Sequence, residues 1–113
     1  MVEEISQLPE AGDIIWLDFD PHIGHEQAGH RPALVLSPAE YNVARGLLVC
    51  CPLTTSIRGY PFEVSIQGEP TSVALADQVR TVDWRARHSK FRGRATDMEL
   101  AQTRAKVAAV IGL

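Results

Sequence analysis

The sequence predicts a mainly β protein, a small and strongly curved barrel with one α-helix at its C-terminal end. Two observations lead to this prediction. Short apolar runs separated by turn-forming residues fill most of the first 94 positions, and the one convincing long helical pattern begins after residue 95. Many short strands with frequent turns are typical of sandwiches and barrels. An α+β sandwich fits the same pattern and stays open, and residues 1–113 are expected to form one domain.

The pattern of apolar residues in the first half of the chain predicts three strands. In residues 13–20, successive side chains are expected to alternate between two faces, with the two-residue period of a strand. Residues 32–37 and 46–52 are largely apolar and indicate more fully buried strands. The segment between them starts with Pro and ends with Gly, so a turn or a single helical turn is expected at residues 38–46.

The residue pattern of the second half of the chain predicts shorter strands, followed by the helix. A strand is expected to start at Pro61, because proline is tolerated at a strand start. Residues 72–82 form either one bent strand or two short ones, and a last short strand lies around residues 90–94. Thr96 and Glu99 then match a capping box. The helix that follows carries an approximate apolar stripe at Met98, Ala101, Ala105, Ala108 and Val110 or Ile111.

The two cysteines are adjacent in an apolar run. Cys50 and Cys51 are therefore expected to point to opposite faces of a strand. Their spacing matches neither a C-x-x-C metal pair nor a secreted disulfide framework. The N-terminal residues lack the features of a signal peptide, and no run approaches the roughly 18 apolar residues of a membrane helix. We therefore expect a cytoplasmic protein with no membrane partner.

Charge is distributed unevenly along the chain. The net charge of −3 argues against a protein that coats nucleic acid. Residues 1–20 hold six acidic and no basic residues (−6), whereas residues 80–94 hold six basic residues and one acidic residue (+5). Nine of the eleven basic residues are arginine, whose planar fork suits phosphate and stacks on bases. The sequence thus predicts a local basic patch suited to a short single-stranded ligand.

The segment GHEQAGHRP, residues 24–32, holds more proton-transfer and anion-binding groups than a strand connection needs. One interpretation is a metal site, in which histidine nitrogens are joined by one carboxylate; its candidate ligands are His22, His25, His30 and either Glu26 or Asp20. A second interpretation is an ordinary solvated loop.

A third interpretation of this loop is phosphate chemistry. Glu26 would accept a proton and Arg31 would clamp an anion. Arg31 precedes Pro32, which favours an extended backbone and helps to fix the origin of the guanidinium group. Such a group could stabilise the excess negative charge of a five-coordinate phosphorane.

Two further clusters have both a structural and a functional interpretation. Thr54, Thr55 and Ser56 place three hydroxyls at the end of a buried strand. They either satisfy orphan backbone groups or, through Thr54, donate a hydrogen bond to a phosphate oxygen. The pair Asp77 and Gln78 either sits on a barrel rim or reads the edge of a base.

The segment 84–94 alternates aromatic and basic residues. Trp84 and Phe91 in such a setting suit stacking on unpaired bases, worth about 1–3 kcal/mol per base. Trp84 is equally suited to the core, because tryptophan buries a large apolar area.

Three ordered blocks of the chain resemble one known family. GDIIWLDFDPHIGHEQAGHRPALVLSP, PLTTSIRGYPFEV and VALADQVRTVDWRAR resemble the MazF/PemK family of toxin endoribonucleases, with particular likeness to the MazF and ChpB branch. The resemblance runs from about Gly12 to the last helix. It implies an SH3-like barrel of the CcdB/Kid/MazF type with a C-terminal α-helix, a homodimer, and ribosome-independent cleavage of single-stranded RNA without metal or cofactor.

The resemblance also implies a mechanism. The family's glutamate, arginine and threonine fall on Glu26, Arg31 and Thr54. The ribose 2′-hydroxyl would attack the adjacent phosphorus and leave 2′,3′-cyclic phosphate and 5′-hydroxyl ends. Glu26 would take the proton, Arg31 would stabilise the phosphorane and could also protonate the leaving oxygen, and Thr54 would hold a phosphate oxygen. The residues expected to bind the RNA are His25, Gln27, His30, Thr55, Ser56, Arg58, Asp77, Gln78, Arg80, Arg85 and Arg87.

The chain departs from the family pattern at three positions. His25 stands where many members carry serine or threonine, and Arg58 takes the usual lysine position. Some PemK-type members have an arginine two residues before the aspartate that corresponds to Asp77, and this chain has Leu75 there. A proton relay built on Asp77 is therefore not expected.

The resemblance implies a protein partner as well. A cognate antitoxin with an acidic, flexible tail would form a heteromeric complex, share DNA binding with the toxin, and block the site by lying across the basic groove. A rival function comes from the related CcdB toxins, which have this fold and bind DNA gyrase without cutting nucleic acid. They lack the glutamate, arginine and threonine set, which this chain retains.

Overall fold

The computed structural model describes residues 8–21 and 23–113. Within these residues, one antiparallel sheet of seven strands forms most of the structure. The strands are β1 (Asp13–Asp18), β2 (His30–Val35), β3 (Leu47–Thr54), β4 (Glu63–Ile66), β5 (Ser72–Leu75), β6 (Arg80–Asp83) and β7 (Lys90–Arg94). The helices are α1 (Ala39–Arg45) and α2 (Asp97–Val110), and a 3₁₀ turn covers Ala76–Gln78.

Strand β3 organises the sheet because it pairs along both of its edges. β2 lies on one edge. On the other edge, β6 pairs with the first half of β3 and β5 pairs with its last residues. β4 extends the sheet beyond β5, and β1 and then β7 extend it beyond β2. The twist of the strands and the change of partner along β3 curl the sheet into a half-barrel, which confirms the mainly β fold with a C-terminal helix.

Apolar side chains are buried on both faces of the curled sheet. Cys50 packs in one cluster with Leu17 and Trp84, whereas Cys51 packs in the other with Leu34. Adjacent residues of a strand point to opposite faces, so the predicted separation of the two cysteines is confirmed. Burial raises the pKa of both thiols to about 12. They therefore stay protonated at neutral pH and are poor nucleophiles.

The boundaries of two strands matter for the site. β2 begins at His30, two residues before the predicted start, so Arg31 lies inside a strand. β4 begins at Glu63 and leaves Pro61 in the preceding loop. The predicted bent segment is two strands, β5 and β6, joined by the 3₁₀ turn.

Helix α2 starts with the predicted capping box. Thr96 Oγ1 accepts a hydrogen bond from the backbone N–H of Glu99 at 3.0 Å, and Glu99 Oε1 accepts one from the N–H of Thr96 at 2.8 Å. Two of the helix's orphan backbone donors are thus satisfied reciprocally.

The predicted apolar stripe of α2 was wrong. Met98 is 69% exposed, and the other stripe residues are exposed or only half-buried. The face that packs on the sheet carries Glu99, Leu100, Thr103 and Val107. Polar residues can occupy this face because their polar atoms are satisfied: Glu99 Oε2 accepts from the N–H of Gln67 at 2.8 Å, and the Thr103 hydroxyl donates to the carbonyl of Glu99 at 2.8 Å.

Helix α1 is longer than the single turn expected, and its buried Asn42 ties three segments together. The Asn42 amide donates to the carbonyls of Pro9 (2.9 Å) and Ser37 (3.0 Å), and its Oδ1 accepts from the Ser37 hydroxyl at 2.5 Å. The Asn42 carbonyl accepts from the Trp84 indole N–H at 3.0 Å. Trp84 is 5% exposed, so it is a core residue and does not stack on bases.

Replacement of Asn42 by alanine is expected to lower the free energy of unfolding by about 2–3 kcal/mol, because it leaves buried polar groups of Ser37 and Pro9 without partners. The exposed Glu40 on the same helix provides the control, and Glu40→Ala is expected to change stability by less than about 0.5 kcal/mol. Urea denaturation measures both. Equal stability of the two variants would show that the Asn42 contacts contribute nothing.

No helix within the described residues is long and apolar enough to cross a membrane.

Candidate active site

Two cavities adjoin on the protein surface and share a wall made by Gln27, Asp77 and Gln78. The larger cavity, about 490 Å³, is also lined by residues of the β3–β4 loop and by His25, Thr54 and Leu75. The smaller cavity, about 420 Å³, is also lined by Glu26, Pro52 and Arg80 among others. The β1–β2 loop therefore reaches both cavities, since His25 faces one and Glu26 the other.

Arg31 and Thr54 belong to neighbouring strands, β2 and β3; Thr54 lines the larger cavity, whereas Arg31 lines neither of the two cavities. The β2–β3 register pairs Ala33 with Pro52. The pairing ends there; continued by two residues along each strand, the same register would set Arg31 opposite Thr54. Two parts of the sequence separated by more than twenty residues are thus brought to one end of the sheet.

Arg31 is half-buried and partly fixed in orientation. Its Nε donates a hydrogen bond to the carbonyl of Ala28 at 2.7 Å. Its two terminal nitrogens make no hydrogen bond with any residue that the structure describes. The guanidinium group is therefore held through Nε, and its two terminal nitrogens remain able to bind an anion.

Glu26 lies in the exposed loop that joins β1 to β2. Its Oε1 accepts a hydrogen bond from the backbone N–H of Ile23 at 3.0 Å. The base of the loop is closed by a bond of 2.9 Å from the N–H of Phe19 to the carbonyl of Gly29. The second carboxylate oxygen of Glu26 has no hydrogen-bond partner among residues 8–21 and 23–113, so it can accept a proton from a ligand.

Thr54 is the last residue of β3, and its side chain forms a hydrogen bond with the backbone. Its Oγ1 accepts a hydrogen bond from the N–H of Ser56 at 3.1 Å. The hydroxyl proton is not used in that bond, because the oxygen acts as an acceptor. Thr54 can therefore satisfy the strand end and still donate to an oxyanion, so both interpretations of this residue fit the geometry.

The β3–β4 loop contributes residues that were not predicted from the sequence. Tyr60 and Phe62 stack with ring centroids 5.2 Å apart and line the larger cavity. The Glu63 carboxylate accepts from the N–H groups of Arg58 (3.2 Å) and Gly59 (2.9 Å) and so holds the loop. Tyr60 is exposed and Phe62 is half-buried. The two aromatic residues flanking Pro61 were the available sequence signal for a base-stacking surface.

Asp77 projects into both cavities. Burial raises the pKa of its carboxyl group above the ordinary value, and the negative charge of Glu63 adds to this effect, while a backbone hydrogen bond opposes it. The Asp77 carboxyl group therefore keeps its proton to higher pH than a solvated aspartate does.

Four of the residues predicted to bind RNA do not line either of these cavities, and three of them have contacts elsewhere. His30 stacks on Trp16 at 5.4 Å, and Arg85 lies 4.5 Å from the Trp84 ring. Arg87 Nη1 donates to the carbonyls at the base of the β1–β2 loop, those of Asp18 (2.9 Å) and Asp20 (3.2 Å). The fourth, Thr55, is exposed beside the larger cavity. His25, Gln27, Ser56, Arg58, Asp77, Gln78 and Arg80 do line the two cavities.

The segment 80–94 does not form the single basic patch that was predicted. Arg80 lies 5.7 Å from the Phe19 ring at the smaller cavity. Arg92 lies 5.4 Å from the Trp16 ring, and Arg94 forms an ion pair of 2.6 Å with Asp13. A turn and two different strands separate these residues, so the positive charge is spread over several surfaces.

The metal interpretation finds no support in the described part of the chain. No group of three or more His, Cys, Asp or Glu side chains with a metal-binding arrangement occurs there; His22 lies outside it. His25 lines the larger cavity, whereas the His30 ring is hydrogen-bonded at 2.9 Å to Asp18. Hydrogen bonds from His88 and His30 lower the pKa of Asp18, which is held in this local cluster.

Comparison with known proteins identifies similar chains. Residues 10–111 match the family model of the PemK-like, MazF-like toxin of type II toxin–antitoxin systems. The chain is 52% identical over 106 residues to the endoribonuclease toxin MazF of Escherichia coli K12, covering 93% of this chain and 96% of that protein. It is 38% identical over 109 residues to the endoribonuclease toxin ChpB of the same organism, covering 90% and 93%.

Solved structures agree with the sequence comparison. The crystal structure of MazF from Deinococcus radiodurans superposes with a TM-score of 0.89 at 45% identity, covering 94% of this chain and 98% of that one. A MazE–MazF structure from the same organism gives a TM-score of 0.81 at 41% identity, covering 94% and 97%.

Proposed function

The chain belongs to the PemK-like, MazF-like family of toxins of type II toxin–antitoxin systems, and we propose that it is a sequence-specific endoribonuclease that cleaves single-stranded mRNA independently of the ribosome and of metal ions. The observation that carries the proposal is the placement of three groups. Arg31 and Thr54 come from the paired strands β2 and β3, Thr54 lines the larger cavity, and Glu26 lines the smaller cavity that adjoins it.

Each of the three groups has one task in the proposed reaction. Glu26 removes the proton of a ribose 2′-hydroxyl, and the resulting oxygen attacks the adjacent phosphorus. The P–O5′ bond breaks, leaving a 2′,3′-cyclic phosphate on one fragment and, after protonation of the leaving oxygen, a 5′-hydroxyl on the other. The fork of Arg31 and the hydroxyl of Thr54 stabilise the charge that develops on the phosphorane oxygens.

The two cavities suit unpaired nucleotides on either side of this phosphate. The larger cavity offers the stacked Tyr60 and Phe62 rings as a platform for a base. Arg58 lines the same cavity and supplies positive charge, and Arg80 does so in the smaller one. Recognition of a short single-stranded sequence by stacking and base-edge contacts is the usual mode for such surfaces.

The partners in this proposal follow from the family. The MazE–MazF structures of Deinococcus radiodurans contain an antitoxin with the toxin, and we propose that this chain forms a homodimer that binds a cognate antitoxin with an acidic, flexible tail. Such a tail would compete with RNA for the cationic groups of the site. A cytoplasmic location is part of the proposal, because its substrate is mRNA.

Cleavage of a long single-stranded RNA in excess chelator tests the proposed function. We expect cuts at one recurring short sequence, mapped by primer extension, at a rate unchanged by chelator. The folded protein without antitoxin is the sample, and the same protein with a Glu26→Gln substitution is the control for contaminating nuclease. Intact RNA, or cleavage only after a divalent metal is added, would contradict the proposal.

A further inference from the structure

The side-chain amide of Gln78 spans 51 positions of the sequence to hold the loop that carries Glu26. Its Oε1 accepts a hydrogen bond from the backbone N–H of Gln27 at 2.9 Å. Its Nε2 donates to the carbonyl of His25 at 3.4 Å. One amide group thus bonds to the backbone of the residues immediately before and immediately after Glu26.

The Gln78 end of this contact is anchored in the body of the protein. Gln78 is the last residue of the 3₁₀ turn, and Ala76 at the start of that turn is fully buried. The N–H of Ala76 donates to the carbonyl of Phe62 at 3.1 Å, which ties the turn to the residue before β4. β6 begins two residues after Gln78 and pairs with β3. The amide is therefore presented by a fixed backbone.

The loop end, by contrast, has little else to hold it. Gly24 and Gly29 flank it with φ angles of 59° and 77°, a region that glycine enters at little cost. The other hydrogen bonds of Glu26 are local and run to Ile23. Among the described residues, the two bonds of Gln78 are the only hydrogen bonds that join positions 25–27 to another part of the chain.

We propose that Gln78 is a positioning residue that sets the place of the Glu26 carboxylate through this two-point backbone contact. The inference rests on the proposed function, because it assigns Gln78 a role that acts through the general base. A loop with glycine at both ends can move its tip by an ångström or more when such a contact is lost. Misplacement on this scale costs on the order of 10²-fold in rate.

The alternative role for Gln78 is direct contact with a base. One lone pair of its oxygen and one N–H of its amide are not used by the loop, and the residue lines both cavities. The two roles differ in their kinetic signature. A positioning residue changes kcat and loses its effect when Glu26 is removed, whereas a base contact changes KM or the cleaved sequence whether or not Glu26 is present.

The test uses the full chain with Gln78→Met, which keeps the side-chain length and removes both hydrogen bonds, and Gln78→Ala as a second variant. Gln102→Ala is the matched control, because Gln102 is exposed on α2 and its side chain makes no hydrogen bond with the described residues. We expect kcat for a short RNA containing the cleaved sequence to fall by roughly 10- to 100-fold in both Gln78 variants, with KM within about threefold of the parent. The Gln102 variant should match the parent.

Two further measurements separate this inference from the proposed function. In Glu26→Gln/Gln78→Met, cleavage should be no more than about threefold slower than in Glu26→Gln alone, because the two residues act as one unit. Amide hydrogen exchange at Gln27 should be faster in Gln78→Met than in the parent, and this measurement needs no RNA.

The outcomes decide between the roles. Unchanged kcat, independent losses in the double variant, or equal exchange at Gln27 in parent and variant would overturn the positioning role. A raised KM or a shifted cleavage sequence with unchanged kcat would assign Gln78 to the RNA instead. A parent protein that cuts no RNA, yet shows faster exchange at Gln27 when Gln78 is replaced, would contradict the proposed function and leave the contact itself supported.

Discussion

Replacement of Arg31 by alanine is expected to lower the rate of RNA cleavage by at least about 10²–10³-fold, the usual cost of removing one preorganised donor to a developing oxyanion. The outer nitrogens of Arg31 have no hydrogen-bond partner among the described residues, and its inner nitrogen is fixed on the Ala28 carbonyl. The side chain is therefore oriented before substrate binds.

The fold of the Arg31→Ala variant is expected to survive. The substitution removes one hydrogen bond at the end of β2, worth about 1 kcal/mol, and leaves both core clusters intact. Circular dichroism and thermal unfolding check this, and single-turnover cleavage measures the effect. Arg31→Lys keeps the charge but loses the fork, so it should recover only a small part of the activity.

Arg45→Ala is the control for the loss of a positive charge, since Arg45 is exposed in the last turn of α1. It should cleave at the parental rate. If Arg31→Ala also cleaves at the parental rate, the assignment of the anion site is wrong.

Replacement of Glu26 by glutamine is expected to lower cleavage by about 10²–10⁴-fold, the range typical of losing a general acid or base. The amide oxygen can still accept the hydrogen bond from the N–H of Ile23, so the local loop structure is kept. An amide cannot take the 2′ proton, however. Because the substitution removes a negative charge, affinity for RNA should be equal or higher.

The measurements for this variant are single-turnover cleavage and RNA binding by fluorescence anisotropy. Glu40→Gln is the charge-matched control, because Glu40 is exposed on α1, and it should behave as the parent does. A Glu26→Gln variant that cuts within threefold of the parent would remove Glu26 from the mechanism.

The sequence allowed the fold class to be predicted and suggested candidate catalytic residues, both from local patterns. The alternation of side chains around Leu17 and the adjacency of Cys50 and Cys51 indicate which face of the sheet each residue is buried on. Glu26 and Arg31 stood out because a short loop contained more ionisable groups than a turn requires. Each of these patterns is contained within a short stretch of sequence, so it can be recognised without the structure.

The long-range features could not be predicted in the same way. The contact of Gln78 with the loop links residues 51 positions apart, and no local pattern encodes it. The buried face of α2 was misjudged because Glu99 and Thr103 are polar, and their burial depends on bonds to Gln67 and to the helix backbone. The positive charge at residues 80–94 was read as one patch because the sequence does not show that a turn redirects the chain after Trp84.

The most direct measurement of the central claim uses one RNA oligonucleotide and a copy with a single 2′-deoxynucleotide on the 5′ side of the scissile phosphate. In the proposed reaction the 2′-hydroxyl is the nucleophile, so the parent RNA should give 2′,3′-cyclic phosphate and 5′-hydroxyl ends in the presence of chelator. The deoxy copy should bind and remain uncut. Cleavage of the deoxy copy at the same phosphate would show that water or another nucleophile attacks, and would contradict the proposed reaction and the role given to Glu26.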